Sequence, residues 1–359
     1  ATMTLERSNI SAMSGYAPGE QPQNADTIKL NTNENPYPPA PAVAAALNEF
    51  NVAGLRRYPS PIADEFREAA AQLHGLHKDN IIPTNGGDEL LRLLLTTFVD
   101  EGEVVATTRP TYSLYPVLTA IQGATLEEID LDEQWQLPKD LTDQLQRLKA
   151  KAFILVNPHA PTGALVSAEV IATIAENFSG LLVIDEAYID FVDPDQDHDC
   201  VPLLSRFDNL VILRTLSKGY SLAGLRFGYG LAAKSLAAPV LFKTRDSYNT
   251  DAIAQSLASA ALRSQDYARE TWEKVRASRN DLQSQLAELG FETLPSQSNF
   301  LLCTAPPGTS AVGLYEQLKS RGILVRYFDQ DRLRDKLRIS IGSAAENTRL
   351  VDALKTLIP

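Results

Sequence analysis

Lys218 closes the segment Arg214-Thr-Leu-Ser-Lys218, directly behind the short apolar run Val211-Ile-Leu213. Thr215 and Ser217 offer hydroxyls just before it, and Arg226 follows eight residues later. A lysine that is to form a Schiff base must be held away from bulk water, because desolvation lowers its pKa and frees the amine lone pair. Small hydroxyls and an arginine beside it suit a bound phosphate. The same stretch also reads as a buried strand followed by a solvated lysine in a turn, and alone it supports both readings equally. The backbone that would hold the anion is Asn85-Gly86-Gly87-Asp88-Glu89, which opens the helical run Leu90-Leu-Arg-Leu-Leu-Leu. Two glycines at a helix N-terminus let N–H groups approach a phosphate closely, and the helix dipole favours an anion there. Asp88 would lend its N–H while its carboxylate caps the helix, since pointed at phosphate it would repel. A plain Gly-Gly turn with an Asp cap is the commoner use of such a sequence. Asp185 ends the apolar run Leu181-Leu-Val-Ile184, where a carboxylate is costly unless it faces a cation. Tyr188 and Tyr112 follow two of the apolar runs; Tyr188 reads equally as a core tyrosine, and an isolated tyrosine such as Tyr112 is more often packing.

Those residues need a frame that brings them together. Glu103-Val-Val-Ala106, Phe153-Ile-Leu-Val156, Leu181-Leu-Val-Ile184 and Val211-Ile-Leu213 are apolar runs without alternation. Such runs suit strands buried on both faces, as in a helix-covered, mainly parallel sheet. Each is followed by a polar cluster: Pro110-Thr-Tyr112, Asn157-Pro-His-Ala-Pro-Thr-Gly163, Asp185-Glu-Ala-Tyr188 and Thr215-Leu-Ser-Lys218. Ligands in open α/β sheets bind outside the carboxyl ends of the strands, so four clusters at four such ends predict one site. Ser60-Pro61 reads as an N-cap and first helical residue, with Phe66, Ala70 and Leu73 on the buried face. The organisation expected is an arm over residues 1–45 that contributes to a small domain, a large domain over 46–264, and a smaller α+β domain over 265–359. A long charged helix from Tyr267 to Leu289 opens the last of these, followed by strands near Phe300, Leu324 and Leu337.

With 359 residues, two lobes are the default. A hydrophobic share of 44% and a charged share of 22% fit an ordinary globular protein. The formal net charge of −12 argues against a nucleic-acid partner, which needs clustered Lys and Arg. Cys200 and Cys303 make no disulfide framework and point to a reducing compartment. No apolar run approaches the ~20 residues of a membrane span. The first residues lack a basic segment followed by an apolar one, so a cytoplasmic location is expected. No metal is expected in the chemistry, because the four histidines show no ligand spacing beyond His74 and His77, which lack a third partner.

Read in order, further short motifs join these clusters. They are Tyr16-Ala-Pro-Gly19, Asn33-Glu-Asn-Pro36, Arg57-Tyr58-Pro59, Ala223-Gly-Leu-Arg226, Asn299-Phe300, Gly322-Ile-Leu-Val-Arg326 and Leu337-Arg338-Ile-Ser. Each is weak alone, but their order and spacing together are specific. Nearly end to end, the chain resembles the histidinol-phosphate aminotransferase family within the class I/II aminotransferases. The resemblance implies an α/β fold of the fold-type I pyridoxal-phosphate transferases and pyridoxal 5'-phosphate as cofactor. Lys218 would carry the cofactor and shuttle the proton. Asp185 would pair with the pyridine nitrogen, Tyr188 with the phenolate oxygen, and Tyr112 would stack on the ring. Gly87, Asp88, Ser217 and Arg226 would hold the phosphate beside Thr215, with Tyr58 reaching it from a neighbouring subunit, which implies a homodimer with shared sites. Arg338 would grip a substrate carboxylate, and Tyr16, Tyr248 and Arg326 would lie near the substrate's phosphate end.

One departure stands out. The usual family stretch has an asparagine before Pro-Thr-Gly that binds the phenolate oxygen, and here Ala160 occupies that place. Asn157 is expected to keep a polar role, with His159 either in support or facing solvent. The small-molecule partners implied are histidinol phosphate with 2-oxoglutarate and glutamate. Aromatic-amino-acid transamination is the nearest alternative, and a threonine-phosphate decarboxylase of the same fold the next. Arg326, Tyr16 and Tyr248 separate these, because a phosphorylated substrate needs a cationic pocket that phenylalanine does not.

Overall fold

The unalternated apolar runs become strands buried on both faces, and alternate side chains feed two separate cores. Ile154, Val183 and Val211 face one core, while Phe153, Leu182 and Ile212 face the other. The computed structural model describes residues 3–359. In chain order the strands are β1 (Ile28–Leu30), β2 (Ile81–Thr84), β3 (Val104–Arg109), β4 (Thr125–Asp130), β5 (Ala150–Val156) and β6 (Leu181–Asp185). They continue as β7 (Leu210–Thr215), β8 (Gly228–Ala232), β9 (Glu292–Thr293), β10 (Phe300–Thr304), β11 (Ile323–Tyr327) and β12 (Lys336–Ser340).

The larger sheet has the order β2-β8-β7-β6-β5-β3-β4. Strands β3 to β7 pair in parallel, and β8 runs antiparallel to both β7 and β2. Parallel strands need helical crossovers, and these cover both faces, which explains why every residue of β6 is buried. The smaller sheet has the order β1-β11-β12-β10-β9 and is mainly antiparallel. Its edge strand β1 comes from the N-terminal arm and pairs in parallel with β11, Ile28 opposite Ile323. Residues Asn31 to Glu34, which follow β1, are thereby led between the two sheets.

The expected helix after Ser60-Pro61 begins later, at Asp64, and runs to His74. Ala63 adopts a left-handed conformation with φ of 48°, so Pro61 falls in a turn and not in the first helical position. Ser60 still serves the helix, because its Oγ accepts from the Asp64 N–H at 3.1 Å. The long charged helix spans Gln265–Glu288 and buries Val275, Leu282 and Leu286 along one face. Strands β2, β4 and β8 lack the long apolar runs that mark β5 to β7, so the sequence does not announce them.

Candidate active site

The carboxyl ends of β5, β6 and β7 open on a cavity of about 230 Å³. Lys218 reaches it from the turn after β7. It is partly buried, and its Nζ donates to the Thr32 carbonyl at 2.7 Å. Burial, with help from the Arg338 guanidinium, pushes its pKa down to about 8, against a smaller pull from Glu34. The amine is thus far easier to deprotonate than an ordinary lysine. Asp185, the last residue of β6, accepts from the Tyr115 hydroxyl at 2.6 Å and from the Ala187 N–H at 3.1 Å. Burial raises its pKa to about 6, and those two donors hold it from rising further.

An anion cradle lies at the same end of the sheet. The helix Gly87–Phe98 starts here, with Gly86 in a left-handed conformation at φ 81°. A Cβ on Gly86 would come within 2.8 Å of Arg226 Nη2, so glycine leaves room for that guanidinium. Thr215 Oγ1 donates to Ser217 Oγ at 3.0 Å and accepts the Ser217 N–H at 3.1 Å, which aims both hydroxyls. Arg226 lies 3.4 Å from Ser217 Oγ and 4.0 Å from Asp88 Oδ2. Asp88 does not cap the helix as expected. No side chain caps it: the N-cap is Gly86, Glu89 Oε1 accepts from the Asn85 N–H ahead of it at 3.0 Å, and the Asp88 carboxylate faces Arg226.

Opposite the cradle stand Arg326 and Arg338, cross-strand partners on β11 and β12. Phe328 separates them, its ring centroid 4.9 Å from one guanidinium and 5.3 Å from the other. Arg338 donates to the Asn31 carbonyl at 3.0 Å, while its Nε is buried without a partner. Among the described residues neither arginine is ion-paired with a carboxylate. A half-buried Tyr112 forms the side wall, edge-on to Tyr115 at 5.5 Å and to Tyr16 at 6.0 Å. Tyr188 completes it, its hydroxyl accepting from Asn33 Nδ2 at 3.1 Å.

A family model described as "Aminotransferase class I and II" matches residues 25–354. The chain belongs to the class I and II aminotransferases. Among its relatives, histidinol-phosphate aminotransferase 1 of Trichormus variabilis is 44% identical over 353 residues, covering 98% of each chain. Histidinol-phosphate aminotransferase of a Synechocystis species is 44% identical over 356 residues, covering 99% of each. The solved histidinol-phosphate aminotransferase of Sinorhizobium meliloti, in complex with pyridoxal-5'-phosphate, superposes with a TM-score of 0.89 at 26% identity, covering 99% of both chains.

Not every expected residue of this aminotransferase reaches the cavity. Tyr248 lies outside it and stacks on Tyr58, ring centroids 4.4 Å apart; Tyr58, expected to serve a neighbouring subunit's site and not this one, is 80% exposed. Asn157 spends both ends of its amide on the Val166 backbone, at 2.9 and 2.7 Å, and holds its own loop instead of facing the cavity. His159 is buried, not solvent-facing, and ties that loop to Thr108 and Thr162 at 3.1 and 2.9 Å. Burial drives its pKa down to about 4, so it stays neutral. Ala160 does line the cavity and brings no polar atom.

Tyr115, Asn33, Thr32 and Phe328 also serve the site, though the sequence alone does not mark them as site residues. Asn33 is held with φ of 62° by Ser340 and Asn299, and it ties the arm to both sheets. The run Asn31-Thr-Asn-Glu-Asn35 was the available signal, because polar residues that dense between proline-rich turns need partners. Tyr115 gave none, since its carboxylate partner lies 70 positions away.

Proposed function

We propose that this aminotransferase uses pyridoxal 5'-phosphate to exchange an amino group between histidinol phosphate and 2-oxoglutarate, a step of histidine biosynthesis. The observation that carries the substrate reading is the unpaired pair Arg326 and Arg338, two cations across one phenylalanine at the cavity wall. Two unneutralised guanidiniums suit a phosphate dianion, whereas an aromatic amino acid offers one carboxylate, which matches Arg338 and leaves Arg326 without a partner.

The residues fit the cofactor. Gly86, Gly87, Thr215, Ser217 and Arg226 make a cradle for its phosphate, and the orienting bonds within that cradle exist already. The cofactor, when bound, supplies a conjugated electron sink at the carbon that carries the amino group. Asp185, a carboxylate held in line by Tyr115 and Ala187, would pair with the cofactor's ring nitrogen. Tyr112 would stack on the ring, and Tyr188 would offer its hydroxyl to the phenolate oxygen, both lining the cavity. Asn33 already bonds that hydroxyl, so it is the neighbour that supports Tyr188 where Ala160 has no side-chain donor. The Lys218 amine moves the proton at the substrate's amino-bearing carbon, and its lowered pKa keeps part of it unprotonated near neutrality. Arg338 grips the carboxylate of glutamate or 2-oxoglutarate. With histidinol phosphate, which has none, it joins Arg326 on the phosphate.

Two coarser features complete the proposal. The exposed Tyr58, offered to a neighbouring cradle, supports a homodimer with shared sites. Among the described residues no helix is long and apolar enough to cross a membrane, in keeping with a cytoplasmic enzyme. Steady-state turnover with histidinol phosphate, histidinol and phenylalanine tests the substrate. Histidinol phosphate should be preferred over histidinol by at least about a hundredfold in kcat/KM, roughly two charge-assisted contacts, and over phenylalanine, which keeps the contact to Arg338, by at least about tenfold. Equal or better turnover of phenylalanine would establish the aromatic-amino-acid reading in its place.

A further inference from the structure

We propose that Glu186, His198 and Cys200 form a binding site for one divalent cation of the zinc class, outside the catalytic cavity. None of the three lines that cavity, although Glu186 directly follows Asp185. Their ligand atoms lie within 4.8 Å of one another. His198 Nε2 is 3.8 Å from Glu186 Oε2 and 3.6 Å from Cys200 Sγ. A tetrahedral ion with bonds of about 2.0–2.3 Å needs ligand atoms about 3.3–3.8 Å apart, so two edges of the tetrahedron are already present.

A second observation points to a ligand. Glu186 is wholly buried, and its Oε1 accepts from Arg214 Nε at 2.9 Å. Its Oε2, on the side of His198 and Cys200, has no hydrogen-bond partner among the described residues. The His198 ring is too far from that oxygen to bond it and is itself only 2% exposed along its side chain. A buried carboxylate oxygen without a donor is an unmet demand, and a cation meets it. Arg214 would then act as the outer partner that fixes the carboxylate's orientation.

The donor set decides the class of ion. One nitrogen, one sulfur and one oxygen suit zinc and its neighbours, whereas calcium and magnesium require oxygens. The approach is acidic, since Asp195, Asp197 and Asp199 lie exposed around His198 in the segment that brings both loop ligands in. A bound ion would pin this segment to the end of β6. The fourth position is left for water, and the Cys200 thiol gives up its proton on binding. This differs from the catalytic metal that the histidine spacing argued against, because the His198-Asp-Cys200 pair acquires its third ligand only through the fold.

The test uses the full-length, cofactor-loaded enzyme after chelator treatment, titrated with Co²⁺ and then Zn²⁺. One Co²⁺ per chain should bind, giving a thiolate-to-cobalt charge-transfer band and intense tetrahedral d–d bands in the visible that Zn²⁺ abolishes. Zn²⁺ should also raise Tm. Cys200→Ser should remove the charge-transfer band, and His198→Gln should weaken Co²⁺ binding by at least about tenfold. His77→Asn, at an exposed histidine elsewhere, should change neither. Turnover of the His198→Gln and Cys200→Ser enzymes reports that they fold. Absence of the bands in the wild-type enzyme, or their survival in folded Cys200→Ser, would overturn the site.

Discussion

Lys218 is positioned by contacts that differ in kind from those of a surface lysine. Its Nζ meets a backbone carbonyl of the N-terminal arm, and burial and Arg338 together lower its pKa to about 8. The ordinary value is 10.5, so between about pH 8 and 10.5 the folded chain binds fewer protons than the unfolded one. Stability of the cofactor-free protein from this group therefore rises with pH across that window. Its rate of capturing the cofactor should rise along the same curve, with a midpoint near 8; a midpoint above 10 would mean a solvated lysine. Borohydride treatment of the loaded enzyme should fix the cofactor on the peptide carrying Lys218, and label on another lysine would remove it from its role. Residues of this kind were readable in sequence because the chemistry restricts the residue type. Tyr115 and Asn33 were not, because a tyrosine or asparagine acquires its task only when a distant strand brings its partner.

Gly219, directly after Lys218, is the element-scale counterpart. A Cβ there would overlap the carboxylate of Asp190, which is half-buried, with its pKa pushed up to about 7 by desolvation. The Gly219 carbonyl also accepts from Trp272 Nε1 at 2.7 Å, joining the turn after β7 to the helix Gln265–Glu288. Gly219→Ala should therefore cost ~1–3 kcal/mol in denaturant unfolding, by overpacking. Gly224→Ala, with nothing within 4 Å of its Cβ, should stay within about 0.5 kcal/mol. Equal midpoints for the two would show that the turn relaxes freely. Strands β5, β6 and β7 were legible because parallel strands buried on both faces read as continuous apolar runs. Strand β4 was not, since Thr125–Asp130 carries two glutamates and an aspartate at the edge of the sheet, where only its neighbour β3 constrains it.

At the scale of the molecule, the two sheets bring Lys218 and Asp185 from one side and Arg326 and Arg338 from the other onto one cavity. The motif order in the sequence foretold that convergence, but not the role of β1, too short to announce itself yet placed to lead Thr32 and Asn33 into the site. Tyr58 is 80% exposed, as the proposed homodimer with shared sites requires. A particle of twice 39.3 kDa is expected in solution. Mixing unfolded Lys218→Ala and Tyr58→Ala chains and refolding them together should give activity above either parent, because one site of each hybrid pairs an intact Lys218 with the partner's Tyr58. A monomeric mass with no such rescue would mean that each chain works alone.

The substrate assignment rests on Arg326 and Arg338, and single-turnover rates of the two half-reactions, read from the cofactor's absorbance, test it most directly. Arg338→Ala should slow both the glutamate and the histidinol-phosphate halves. Arg326→Ala should slow the histidinol-phosphate half by roughly ten- to hundredfold, the value of one lost charge-assisted contact, and affect glutamate less. An Arg326→Ala enzyme that handles histidinol phosphate at the wild-type rate would contradict the phosphate pocket.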